Sequence, residues 1–149
     1  MNTFSDDRAA IAQLIDQQFG SLCWDQNADG DWATFLAGFQ SDARLFASAR
    51  PAKSQSAHDF VSRMKALREN GTLSEFREYG VGMEIRIVGN IAVALAGCEM
   101  HENNIAVTKD VSAFLLVKEP DGWRIAAQAW EVVNDIKRAF FDTGLAVEA

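Results

Sequence analysis

Asn27-Ala28-Asp29-Gly30-Asp31-Trp32 runs into Phe35-Leu36 and then into Phe39-Gln40-Ser41-Asp42-Ala43, and the reading of this stretch decides the fold. Asn27 to Gly30 is a turn signal. Before it, Ile11, Leu14, Ile15, Phe19 and Leu22 recur at spacings of three and four, which predicts one long amphipathic helix. Ser5 is placed to cap that helix, and Asp6 and Asp7 suit the positive end of its dipole. After the turn, a shorter helix starts near Asp31 and carries Trp32, Phe35, Leu36 and Phe39 on one side. Arg44 to Ala47 reads as a short strand, and Pro51 with Lys53-Ser54-Gln55 as a loop.

Further out the period changes. Ser56-Ala57-His58-Asp59 opens a third helix in capping-box style, with Phe60, Met64 and Leu67 on one face, and Asn70-Gly71 ends it. Four extended segments follow: Glu75 to Val88, Ile91 to Glu102, Val107 to Lys118 and Trp123 to Val133. Gly89-Asn90 and Glu119-Pro120-Asp121-Gly122 are the turns between them. Helices first and strands after predict an α+β domain, with the helices on one face of an antiparallel meander. Residues 1–133 read as a single domain and 134–149 as a tail, whose Ile136, Phe140 and Phe141 are apolar enough to dock on the body or on a partner.

This order resembles the nuclear transport factor 2-like superfamily, the cystatin-like cone, and within it the bacterial SnoaL-like and ketosteroid-isomerase-like proteins. Three stretches carry the likeness: the Asn27–Trp32 turn with its Asp42-Ala43 sequel, Gly89-Asn90-Ile91-Ala92-Val93, and Asp121-Gly122-Trp123-Arg124-Ile125. It covers about residues 8 to 133. The resemblance implies a curved sheet of four to five antiparallel strands wrapped around the long N-terminal helix. Two further helices complete a cone with one open end. It also implies a pocket between helix and sheet, and often a homodimer through the convex sheet face. The nearly continuous apolar run from Ile91 to Ala96 agrees with a strand covered on both sides.

Composition narrows the partners. The chain has 149 residues, 48% hydrophobic and 23% charged, with a net charge of -7. That is ordinary globular composition and about one domain's length. An acidic chain without a dense Lys/Arg cluster repels phosphate, so neither nucleic acid nor an anionic membrane is expected. The N-terminus has no basic and apolar leader pattern, and the apolar runs are too short to span a bilayer. Cys23 and Cys98 are the only cysteines. Their use points to reduced thiols and the cytoplasm. No metal and no cofactor is expected, because there is no CxxC and no paired-His spacing.

The fold hosts many chemistries, so the residues must choose. Ketosteroid isomerases need a carboxylate base and two oxyanion donors. The resemblance puts two of those positions near Cys23 and Ala47, which lack the groups. Asp42 reads as a capping or turning residue. Thr108, Asp110, Ser112 and Phe114 share one strand face, so Asp110 is the first candidate base if that face is concave and a solvated charge if it is convex. Glu99 and His101 share a face as well and form a second candidate pair, or the polar end of a strand. His58 reads as a surface residue. Phe19, Cys23, Trp24, Phe35, Gln128 and Trp130 are the candidate pocket lining, against the plainer reading of core. Gln128 needs an internal partner if it faces inward. The function expected is binding of a small, largely apolar molecule. The alternatives are a lyase or isomerase using Asp110, Glu99 or His101, and a non-catalytic dimeric module.

Overall fold

The computed structural model describes residues 3–142. Ten elements follow in the order α1 (Thr3–Ser21), α2 (Trp32–Ala37), β1 (Phe39–Phe46), β2 (Ser54–Ser56), α3 (Ala57–Glu69), β3 (Phe76–Val88), β4 (Ile91–Glu102), β5 (Ala106–Glu119), β6 (Gly122–Val132) and α4 (Ile136–Asp142). They form one curved, unclosed sheet in the order β2-β1-β6-β5-β4-β3. β3 to β6 make the expected antiparallel meander. β1 joins it in parallel beside β6, and β2 pairs antiparallel with β1. The sheet thus has six strands, one more than the upper expectation. Ser54-Gln55-Ser56, read as loop and cap, supplies the short edge strand.

α1 lies across the inner, concave face. Ile11 and Ile15 are fully buried, and Phe19 and Leu22 nearly so. The close approach of α1 to the sheet depends on Gly80: a Cβ there would sit 3.1 Å from Asp16 Oδ1 and 3.4 Å from the Phe19 ring. Ser5 does not cap α1, because the helix already runs from Thr3. Asp7 serves tertiary structure instead: it takes a hydrogen bond from Trp123 Nε1 at 3.1 Å and an ion pair from Lys118 at 2.9 Å. These contacts hold its carboxyl below the usual range. Asp31 caps α2 and Ser56 caps α3, whose Asp59 N–H donates to Ser56 Oγ at 3.0 Å. Phe39 belongs to β1 rather than to the second helix, yet still packs on Phe35 at 5.1 Å between ring centroids.

Two bulges decide which side chains look inward. Between Gly80 and Met83 the β3–β4 register shifts, with Gly82 at a φ of 80°. Phe76 and Glu78 face α1 before the bulge, whereas Ile85 does so after it. A second shift between Leu115 and Leu116 sets Ile125 and Gln128, three residues apart, on the same face of β6. The tail folds back on the outer face. Ile136 and Phe140 are buried, and a Cβ on Gly97 would collide with the Ile136 side chain. The Phe141 side chain lies outside the described residues. In the single chain, Ile91, Val93 and Leu115 of the outer face stay exposed, so β4 is covered on one side along its first half. Among the described residues, no helix is long and apolar enough to cross a membrane.

Candidate functional site

Between α1, α2, α3 and the concave face of β3–β6 lies a cavity of about 270 Å³. Its walls are apolar. Phe35 and Phe60 stack with centroids 5.2 Å apart, and Trp130 meets Phe60 edge-on at 5.8 Å. Leu45, Met64 and Met100 fill in between. Arg63 stands at the mouth, with its guanidinium carbon 5.8 Å from the Phe60 centroid.

The floor is polar, and three strands and α1 contribute to it. β6 presents Gln128, β5 presents Asp110 and Ser112, β3 presents Glu78, and α1 reaches over with Gln18. Gln18 Nε2 donates to Gln128 Oε1 at 2.7 Å, and Gln128 Nε2 donates to Ser112 Oγ at 3.2 Å. The inward Gln128 therefore finds the internal partners that a buried amide needs. Gln18 sits on the apolar stripe of α1, three residues after Ile15 and four before Leu22.

The acidic part of the floor is built across three strands. Cys98 of β4 pairs in register with Asp110 of β5, and Glu78 sits on the β3 side of it. The Cys98 thiol donates to Glu78 Oε1 at 3.1 Å. Asp110 is 5% exposed and its Oδ1 has no hydrogen-bond partner among the described residues. Burial pushes the Asp110 carboxyl up to about 6. Burial, with the Asp110 charge adding to it, pushes Glu78 up to about 8, against the pull of the Cys98 hydrogen bond. Near neutral pH this leaves an ionised Asp110 beside a neutral Glu78: one group able to accept a proton and one able to donate it. Burial and the neighbouring carboxyls push the Cys98 thiol upward, so it stays protonated and is no nucleophile.

The other expected residues lie elsewhere. Glu99 and His101 alternate with Cys98 and project from the opposite face of β4, away from the cone cavity. There His101 Nε2 is 2.8 Å from the Tyr79 hydroxyl and 3.4 Å from Glu99 Oε1. His101 instead borders a separate hollow of about 410 Å³ at the β3 edge, with Cys23, Trp24, Arg77 and Asn104. Of the six expected pocket residues, Phe35, Gln128 and Trp130 line the cone cavity. Phe19 does not: it is core, against Phe114. Trp24 is core as well, bonded through Nε1 to the Leu73 carbonyl at 2.9 Å. Cys23 turns its thiol to the Glu78 carbonyl at 3.7 Å, outside the cone. Asp42 is an exposed residue of β1 where the β1–β6 register shifts, rather than a cap. His58 is exposed in the first turn of α3.

Glu78, Gln18 and Ser112 were not singled out by sequence as site residues. Signals for the first two exist: a polar side chain on the α1 stripe, and Glu78 in alternation with the aromatic Phe76. Both cysteines are free, and no group of three His, Cys, Asp or Glu side chains among the described residues is arranged to hold a metal.

No known family profile matches the chain, and no curated protein matches it in sequence. Solved structures do match in shape. A protein of unknown function with a cystatin-like fold from Nostoc punctiforme superposes with a TM-score of 0.68 at 16% identity, covering 88% of this chain and 94% of its own. A nuclear transport factor 2-like protein of unknown function from Shewanella baltica gives 0.64 at 15% identity, over 91% and 100% of the two chains. A candidate scytalone dehydratase from Novosphingobium aromaticivorans gives 0.67 at 14% identity, over 88% and 87%. The chain therefore has the cystatin-like, nuclear transport factor 2-like fold.

Proposed function

We propose that this chain binds a small, largely apolar molecule in the cone cavity. The observation that carries the reading is a cavity with aromatic walls whose floor gathers Gln18, Ser112, Gln128 and an Asp110 oxygen that no group among the described residues satisfies. An apolar hollow with a few convergent polar groups is the usual make-up of a small-molecule site. The test is a thermal-shift screen of small aromatic and alicyclic compounds. It is paired with an Ala47→Trp variant that fills the mouth, and with a crystal structure of the protein as purified. Compounds that raise the Tm of the native chain lose that effect in the variant. No stabilising compound, together with a collapsed cavity in the crystal, ends the reading.

A second reading makes the site a lyase or isomerase with Asp110 as general base. Its support is the side-by-side placement of an ionised and a neutral carboxyl in an enclosed apolar site. Asp110→Asn then abolishes turnover of any substrate found, and unchanged turnover removes Asp110 from the chemistry.

The exposed Ile91, Val93 and Leu115 support a homodimer through the outer sheet face, since large apolar patches are usually covered. Sedimentation of the native chain and a Val93→Lys variant tests that assignment. The two free thiols support a reducing, cytoplasmic setting.

A further inference from the structure

We propose that the ligand of the cone cavity is a cation: a protonated amine on an apolar, aromatic-sized body, with its ammonium group held by Asp110 and Glu78. This rests on the binding reading above and names the class of molecule.

Four observations point the same way. First, two carboxyl groups face one floor, and no ion pair among the described residues reaches either of them. Second, Asp110 Oδ1 is buried and takes no hydrogen bond from the described residues. A buried carboxylate lacking a donor is costly, and a donor that also brings positive charge offsets most of that cost. Third, two neutral donors nearby are already engaged: the Gln128 amide on Gln18 and Ser112, and the Cys98 thiol on Glu78. Fourth, Phe35, Phe60 and Trp130 surround the space above the floor, and aromatic faces attract cations. The Phe60 ring already holds the Arg63 guanidinium at the mouth.

The charged and titratable groups around the floor are few. α3 supplies the exposed Arg63 at the mouth, β4 supplies Cys98 and Glu102, and β3 and β5 supply Glu78 and Asp110. α1 contributes the neutral Gln18. Glu102 accepts from Thr108 Oγ1 at 2.8 Å. The balance at the floor is negative, which excludes carboxylate and phosphate ligands and favours ammonium. An ammonium arriving beside the pair also drives the proton off Glu78, so affinity rises with pH across the range where that carboxyl titrates and falls again where the amine itself loses its proton.

The test compares two series, each of one shape with three head groups: phenethylamine, phenethyl alcohol and phenylacetate, then tryptamine, tryptophol and indole-3-acetate. Calorimetry and Tm shift are read at acid, near-neutral and mildly alkaline pH, on the native chain, Asp110→Asn and Glu78→Gln. The amines bind more tightly than the alcohols, the carboxylates do not bind, and Asp110→Asn weakens amine binding by at least about tenfold. Native amine binding weakens at acid pH, where Asp110 takes up its proton, and strengthens from near neutral to mildly alkaline pH; Glu78→Gln flattens the second change and leaves the first. If Asp110→Asn fails to fold by circular dichroism, the Glu78→Gln pH profile decides. Alcohols or carboxylates binding as well as amines overturns the cation assignment and leaves the cavity a binding site. An amine affinity indifferent to both variants does the same. If no member of any series binds, the cation assignment falls. If, in addition, Ala47→Trp leaves the uptake of an apolar dye unchanged, the binding reading falls with it.

Discussion

Glu78, Cys98 and Asp110 face the inside of the cone, while Tyr79, Glu99 and His101, their immediate neighbours or near neighbours in the same strands, face out. Both trios contain an acid and a second titratable side chain. Inside, burial raises the carboxyls and leaves one of their oxygens without a donor. Outside, the three groups bond one another beside water: the Tyr79 hydroxyl lies 2.8 Å from His101 and 3.2 Å from Glu99. Two glutamates, Glu78 and Glu99, thus stand in different surroundings because of one residue of strand parity. A desolvated carboxyl is a reactive or binding group, whereas a half-exposed one is a surface contact.

The sharpest way to break the contrast is to truncate adjacent residues of β5. Phe114 is 3% exposed and Leu115 is 45% exposed. Phe114→Ala costs about 3–5 kcal/mol of unfolding free energy, and Leu115→Ala less than about 1 kcal/mol, read by urea titration of a monomeric sample. Equal losses would mean that the two faces are not as different as their burial implies.

The next effect is pH-dependent. The folded chain keeps a proton on Glu78 up to about 8, whereas the unfolded chain releases it near 4.5. A neutral Glu78 therefore contributes stability that is complete below the ordinary carboxyl value and is lost as pH rises through the folded one. Asp110 adds to this between 3.8 and about 6. The slope attributable to Glu78 reaches about 1.4 kcal/mol per pH unit at its steepest. Glu78→Gln removes it, so urea midpoints of the variant change less between acid and alkaline pH than those of the native chain. A native profile as flat as that of the variant would place Glu78 in contact with water.

Gly97→Ala tests the outer face beneath the tail. The new Cβ would lie 2.6 Å from the Val81 carbonyl oxygen and collide with Ile136. A loss of about 1–3 kcal/mol is expected, with earlier proteolysis of the tail. The smallest effect is reserved for Tyr79→Phe. It removes the hydroxyl from His101 and Glu99 and leaves the urea midpoint and ligand binding in the cone essentially unchanged; a lost ligand would tie the outer trio to the site.

Much of this was legible from residues alone. The spacing of Ile11, Ile15, Phe19 and Leu22 marks α1, because a helix buries one stripe. The capping residues Asp31 and Ser56 mark two further starts, because their short oxygens reach backbone N–H groups that nothing else satisfies. The four long strands and their turns follow from β-rich runs broken by Gly and Asn. Asp110, Ser112 and Phe114 share a face by simple alternation, and so do Gln128 and Trp130.

What sequence could not decide was which face points inward. Alternation defines two faces of a strand but not their sides, and the shifts at Gly80–Met83 and Leu115–Leu116 interrupt the count. For that reason Glu99 and His101 stood beside Asp110 as a second candidate pair, and Glu78 went unseen. Phe19 lies in core, and Cys23 and Trp24 lie beyond the end of α1, where Trp24 bridges to Phe76, so none of the three lines the cone cavity. Helical spacing names the buried stripe of α1, but only packing shows which part of it meets core and which part meets open space. Local preferences and periodicity are written within a few residues of each position and determined the elements and their order. The cavity, the pairing of Glu78 with Asp110 across Cys98, and the raised carboxyls arise from strands distant in sequence, so only the tertiary structure decided them.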